Sequence, residues 1–206
     1  MVKEFEKRLI TSLILIPIAI IFILKGSIFF AFFLSILFFV TSYEWIKMSK
    51  KNNFLKFLGL IFLLFSFYTV FELRENKNFK DFLLIISICI ITDIGGYIFG
   101  KLFKGPKLTR ISPKKTYAGV FGGFFLSLVA GLVFYQYEYT YQIPDDKLYF
   151  FLVILFISLI SQIGDLIISY FKREARIKDT GKILPGHGGL LDRIDGMIFV
   201  FPILYI

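Results

Sequence analysis

The sequence predicts an all-α, polytopic integral membrane protein with about seven transmembrane helices and a cytosolic N-terminus, and three observations carry that prediction. Hydrophobic residues make up 57% of the 206, and 28 of them are Phe. A soluble core of this length does not need so much apolar surface. Seven apolar segments approach the roughly 20 residues that cross a bilayer. Lys and Arg fall unevenly between alternate loops.

The first apolar segment covers residues 9–24 and follows the charged run Lys3, Glu4, Glu6, Lys7 and Arg8. No small-x-small cleavage site follows it, so a retained helix is expected rather than a cleaved signal. Pro17 is tolerable there, because a membrane helix can re-satisfy the freed carbonyl. Only Lys25, Gly26 and Ser27 separate it from the second segment, residues 28–46, which predicts a tight helical hairpin. Residues 54–71, 82–99, 117–135, 148–171 and 190–206 supply the other five segments. The first and third are short or interrupted. Pro113 disfavours helix at Ser112, so the fifth helix is expected to begin just after it, with Ser112 near its N-cap. No period repeats and no low-complexity linker divides the chain. One membrane domain, 1–206, is expected, with N-terminal helices in 9–80 and the chemistry in 82–206. Cys89 is the single cysteine. It excludes an intramolecular disulfide and reads as a small buried hydrophobe.

The net charge of +9 speaks for topology rather than for nucleic acid. The N-terminus and the second, fourth and sixth loops hold 19 of the 24 Lys and Arg residues. The opposite side holds Lys25, Arg74, Lys77, Lys80 and Lys147. The positive-inside rule then places the N-terminus in the cytosol and the C-terminus outside. Both Gly- and Lys-rich loops meet at the cytosolic face, where soluble nucleotides and phospholipid head groups are both available.

Acidic residues in the later segments carry the functional reading. A carboxylate in a membrane span costs about 2.5–3.5 kcal/mol on insertion scales. Asp165 shares one helix face with Gln162 and Ser169, and Lys172 and Arg173 follow a turn later. That stripe is either a polar glue between helices or part of a site. Asp192 and Asp195 share a face at the start of the last segment, with Arg193 turned about 100° away. They are either acids favoured by the helix dipole or ligands. Upstream lie Pro185, Gly186, His187, Gly188 and Gly189, a turn whose backbone amides can approach an anion closely. Oxygen donors from two helices together with phosphate oxygens suit Mg²⁺, which takes one or two protein carboxylates. Asp165 and Asp192 are the candidate pair. His187, the only histidine, reads as a turn residue bonded to backbone or phosphate before it reads as a base. Asp93 stands beside Gly95, Gly96 and Gly100, which permit close helix approach. It either binds a ligand or cation or pairs with a neighbouring lysine. Lys114 and Lys115 in the fifth helix's first turn would oppose its dipole unless anions gather there. The loop lacks the P-loop pattern.

Together these residues resemble the phosphatidate cytidylyltransferase, or CDP-diacylglycerol synthase, family. Its C-terminal signature is met by Ser169, Lys172, Arg173, Lys178, Asp179, Pro185, His187, Gly188, Gly189, Asp192, Arg193 and Asp195 in the family's spacing. Ser112 to Thr116 and the Asp93 segment also look like family motifs. The likeness covers residues 91–196. Ile168 stands where members often place an acid, and Gly96 where Ala is common. The resemblance implies cytidylyl transfer from CTP to phosphatidate, with pyrophosphate as the second product, in phospholipid biosynthesis. It implies Asp165 and Asp192 as Mg²⁺ ligands, with a monovalent cation such as K⁺ beside them. Lys172, Arg193 and Asp195 join them as catalytic residues. Ser112, Lys114, Lys115, Ser169, Arg173, Lys178, Asp179, His187, Gly188, Gly189 and Asp93 are expected to contact substrate. The implied setting is the inner (cytoplasmic) membrane, multi-pass, with the active site on the cytosolic face and a homodimer as the assembly.

The inventory suits that chemistry. The nucleophile is a lipid phosphate oxygen that is already anionic, so cations and metal matter more than a strong base. A CTP-dependent polyprenol or lipid kinase is the alternative, with Asp195 or Asp93 deprotonating a hydroxyl. An ion-coupled transporter using Asp93 and Asp165 is the non-enzymatic reading.

Overall fold

The protein is described from a computed structural model that covers residues 2–50, 52–136, 147–186 and 188–206, with the side chains of 2–5, 7 and 8 left aside. The described residues fold into helices alone: α1 Val2–Lys25, α2 Ser27–Met48, α3 Asn53–Glu75, α4 Phe79–Phe103, α5 Tyr117–Gln136, α6 Lys147–Glu174, α7 Leu191–Ile194 and α8 Met197–Tyr205. The only ladder pairing among them is two isolated bridges, Lys107 with Thr116 and Leu184 with Gly188.

Helices α2 to α6 are each long and apolar enough to cross a membrane. The apolar part of α1, Leu9–Lys25, is shorter. The last expected segment is not one uninterrupted helix, since it divides into α7 and α8 at Asp195 and Gly196. From Leu191 to Tyr205 it spans at most about 22 Å at 1.5 Å per residue, less than a ~30 Å hydrocarbon core. Much of the outward surface of the long helices is Phe, Leu and Ile, including Phe39, Phe57, Leu64, Phe121 and Leu132. Water would not tolerate that much contiguous apolar area; acyl chains do.

The expected hairpin is present. Gly26 joins α1 to α2 at φ +66°, and a side chain there would run into the Arg74 guanidinium. That guanidinium donates to Ile23 O at 3.0 and 2.8 Å and to Leu24 O at 3.2 Å, so it serves the last carbonyls of α1. Asn52 and Asn78 cap α3 and α4 by accepting from Leu55 N at 3.0 Å and Lys80 N at 3.1 Å.

The packing that positions the site is the crossing of α4 and α5. A Cβ at Gly95 would lie 2.5 Å from Gly122 O, and one at Gly119 would lie 2.7 Å from Gly96 O. Only glycines let the two backbones touch, as the small-residue pattern implied. Helix α6 then packs on α4, α5 and α8, and α3 packs on α2 and α8. The core between them holds Phe30, Leu63, Phe82, Ile88, Ile154, Ile157, Leu191 and Val200, all at most 2% exposed. Cys89 is buried there without a disulfide partner, and so is Ile168.

Candidate active site

The later half of α4, the segment before α5, the later half of α6 and the α7–α8 junction bring the sequence-predicted acids and cations together at one end of the bundle. They form two linked groups, one open and one closed.

The open group centres on Asp165. Its Oδ2 lies 2.6 Å from Lys115 Nζ, with both side chains about a quarter exposed. Its Oδ1 accepts from the Ser169 hydroxyl at 3.2 Å, one turn along α6. The Asp195 carboxylate lies within hydrogen-bonding reach of Asp165. Asp93, exposed on α4, sits within electrostatic range of Asp165, Lys115 and Arg193. Among the described residues Asp93 forms no ion pair within 4.0 Å. Gln162 donates to Ser158 Oγ at 3.4 Å, and its own carbonyl accepts from Lys115 Nζ at 3.4 Å.

The closed group centres on Asp192. Its Oδ2 accepts from Thr180 N at 2.8 Å, Gly189 N at 3.0 Å and Thr180 Oγ1 at 3.1 Å. Its Oδ1 accepts from Lys172 Nζ at 2.8 Å. Lys172 is 8% exposed and also reaches Asp195 Oδ2 at 3.9 Å. One buried ammonium thus joins the two groups. Lys172 lies seven residues after Asp165 on α6, two helical turns on the same face.

Residues expected in the first turn of α5 lie before it. The helix begins at Tyr117, and Thr116, rather than Ser112, caps it by accepting from Gly119 N at 3.1 Å. The reason is a small hairpin: Lys115 N donates to Ser112 O at 3.0 Å, Leu108 N to Lys115 O at 2.9 Å and Tyr117 N to Pro106 O at 3.2 Å. Lys114 and Lys115 so ride on a fixed loop, and Lys115 meets Asp165 instead of opposing a helix dipole. Ser112 N donates to Thr109 Oγ1 at 3.2 Å. Lys114 is exposed. Arg173 ties this loop to the next by donating to Ile111 O and Ile177 O, each at 3.1 Å.

The Gly-rich loop is built on left-handed backbone at Gly186 and Gly188, φ +77° and +89°. Leu184 and Gly188 exchange hydrogen bonds at 3.0 and 3.2 Å. Asp179 borders Gly188, where a Cβ would come 3.3 Å from the Asp179 Cβ. Lys178 and Asp179 are exposed. His187 lies outside the described residues.

Two contributors escaped the sequence reading. Glu44 on α2 is 1% exposed and accepts from Leu190 N, Leu191 N and Thr180 Oγ1 at 3.0, 2.8 and 2.8 Å. A charge inside an apolar segment was the available signal. Thr180 had no local signal at all.

Among the described residues no group of three or more His, Cys, Asp or Glu side chains is arranged to hold a metal ion by protein ligands alone. The donor set still suits Mg²⁺, which completes its octahedron with water and phosphate oxygen. Asp165 and Asp195 stand side by side, an arrangement that repels unless a proton or a cation accompanies it. Lys115 and Lys172 supply positive charge to these acids in the structure.

The fold and the site define an integral membrane protein with paired carboxylates and ammonium groups at one end of a helical bundle. The profile of the cytidylyltransferase family matches residues 53–206, and the chain belongs to that family. It is 34% identical to the phosphatidate cytidylyltransferase of Rickettsia bellii over 208 residues, 96% of this chain and 88% of the relative. It is 34% identical to that of Rickettsia conorii over 218 residues, 100% of this chain and 94% of the relative. It is 40% identical to that of Bacillus subtilis over 152 residues, 72% of this chain and 55% of the relative.

Proposed function

We propose that this chain transfers the cytidylyl group of CTP to phosphatidate, giving CDP-diacylglycerol and pyrophosphate. The observation that carries the reading is the linked set Asp93, Asp165, Asp192 and Asp195 with Lys115, Lys172 and Arg193 in a member of the cytidylyltransferase family. An anionic oxygen of the lipid phosphate forms a bond to the α-phosphorus of CTP. The bond from that phosphorus to the bridging oxygen breaks, and pyrophosphate leaves with the electron pair. No hydroxyl proton has to be removed, so no general base is required.

Lys115 and Lys172 offer their ammonium groups to phosphate oxygens of the two substrates and disperse their charge. Arg193 and the exposed Lys114 and Arg173 extend that field. Ser112, Lys178, Asp179, His187 and the Gly188–Gly189 turn border the nucleotide. Asp165 and Asp192 would hold Mg²⁺, with K⁺ as a neighbouring monovalent ion. When bound, the divalent ion supplies neutralisation of the triphosphate charge.

The chain then lies in the cytoplasmic membrane with seven membrane-inserted segments, its N-terminus and active site on the cytosolic side, and assembles as a homodimer. The 19-to-5 distribution of Lys and Arg supports the sidedness. Labelling of single cysteines from either side tests it, and cross-linking in the membrane tests the dimer. The reaction is tested by supplying membranes holding this chain with labelled CTP and phosphatidate. Label in lipid with release of pyrophosphate is the expected result; release of CDP instead would mean a kinase.

A further inference from the structure

Glu44 is the one carboxylate among the described acids near the site that meets neutral donors only. It sits on α2, far in sequence from everything it touches. Its Oε1 accepts from Leu190 N at 3.0 Å; its Oε2 accepts from Leu191 N at 2.8 Å and from Thr180 Oγ1 at 2.8 Å. Among the described residues no Lys or Arg lies within ion-pair distance of it. Burying a carboxylate without a cation is expensive unless hydrogen bonds replace its water. A carboxylate is acceptor-only at both oxygens, whereas an amide of the same shape presents a donor at one of them. Three donors converging on two oxygens therefore select Glu over Gln.

A second observation is independent of those bonds. A Cβ at Gly181 would come 2.5 Å from Glu44 Oε1, and one at Gly189 would come 2.6 Å from Glu44 Oε2. The backbone on both sides of the loop approaches the carboxylate closely, and at Gly189 a side chain would also come 2.7 Å from Gly181 N. The loop is thus shaped around Glu44.

The third observation links Glu44 to the chemistry. The Thr180 hydroxyl lies 2.8 Å from Glu44 Oε2 and 3.1 Å from Asp192 Oδ2. It has one proton, so it donates to one of the two carboxylates at a time. Thr180 N holds the same Asp192 oxygen at 2.8 Å. Whatever fixes Thr180 and residues 189–191 fixes where Asp192 can sit relative to Lys172.

We propose that Glu44 is a positioning residue for the catalytic loop: through Thr180 and the amides of Leu190 and Leu191 it holds Asp192 and Lys172 in register with Asp165. This rests on the cytidylyltransferase reading for its activity readout, but not for its structural one.

The test uses the full chain in membranes or detergent, with four variants: Glu44→Gln, Thr180→Val, Thr180→Ser and the double Glu44→Gln/Thr180→Val. Glu44→Gln is expected to lower kcat by about tenfold or more while the KM for CTP moves by less than about threefold, because the groups that meet the nucleotide remain. Thr180→Val is expected to lower kcat in the same way, and Thr180→Ser to recover most of it, since the hydroxyl returns. The double variant is expected to lose no more than the worse single variant, the mark of residues acting in one network. Hydrogen exchange is expected to show loss of protection confined to the amides of residues 180 and 188–192 in Glu44→Gln. An unchanged kcat in Glu44→Gln overturns the proposal, as do losses that multiply in the double variant. If Glu44→Gln fails to insert or fold, Thr180→Val and Thr180→Ser decide it: equal kcat for the two overturns it. If the wild-type chain makes no CDP-diacylglycerol, the activity reading fails. The exchange experiment then decides alone, and unaltered loop protection overturns the positioning role.

Discussion

Replacing Asp192 with asparagine removes one charge and almost no volume from a carboxylate that has four protein contacts. The amide oxygen can still accept at the Oδ2 position from Thr180 N, Gly189 N and Thr180 Oγ1. The amide nitrogen then faces Lys172 Nζ, which stood 2.8 Å from Oδ1. Two donors meet, and a lysine side chain only 10% exposed loses its nearer counter-ion. Breaking a buried pair by removing one partner costs about 3–5 kcal/mol. The low end, about 3 kcal/mol, applies here, because Asp195 Oδ2 lies 3.9 Å from the same ammonium and takes up part of the charge. That penalty falls on the folded state; the same loss of charge stabilisation in the transition state, about 3 kcal/mol, would be about two orders of magnitude in rate. Loss of a metal ligand would deepen it further. The assay is incorporation of labelled CTP into lipid by membranes, titrated with Mg²⁺, with the amount of inserted protein measured in parallel. Asp192→Asn is expected at normal membrane levels with turnover at or below about 1% of the parent. Turnover equal to the parent at the same Mg²⁺ concentration would refute both the metal assignment and the charge argument.

Three further outcomes are expected. Lys115→Met breaks a pair whose members are a quarter exposed, so it should cost stability no more than about 1 kcal/mol. The KM for CTP should nevertheless rise by about tenfold as a phosphate partner disappears, which thermal unfolding and a CTP titration measure together. Gly95→Ala places a Cβ 2.5 Å from Gly122 O, and two backbones cannot yield as a side chain can. A loss of about 1–3 kcal/mol is expected, whereas Gly96→Ala, whose Cβ would meet nothing closer than 3.7 Å, should be nearly neutral in the same unfolding measurement. Removal of divalent ions with a chelator should stop lipid labelling and Mg²⁺ should restore it; turnover that persists in chelator would refute a Mg²⁺ requirement.

Much of the fold could be read along the chain because membrane insertion is a local property. Each long helix satisfies its own backbone and meets acyl chains with its own side chains, so composition and length announce it. The Lys25–Ser27 hairpin and the glycine-lined crossing at Gly95 follow from short-range sterics in the same way. The last segment shows where that logic stops. Apolar residues run from Met197 to Ile206, but α8 is only nine residues long, and its break from α7 falls at Asp195 and Gly196, where the chain packs closely on α6. A Cβ at Gly196 would press on Ser161 of α6, and one at Gly164 would lie 3.1 Å from Asp195 O.

The acids Asp93, Asp165, Asp192 and Asp195 and the lysines Lys115 and Lys172 stood out by themselves, since charge beside apolar helix is costly wherever the helix goes. Which charge meets which was not written locally. Lys115 reaches Asp165 across 50 positions, and Glu44 reaches Leu191 across 147. Pairing at that separation is decided by how α2, α4, α5 and α6 stack, and stacking depends on backbone approach and side-chain volume summed over the whole bundle. Sequence therefore determined the residue types and the apolar segments they border, while tertiary structure alone decided that Thr180 and Glu44 hold the turn that leads into α7, where Asp192 sits.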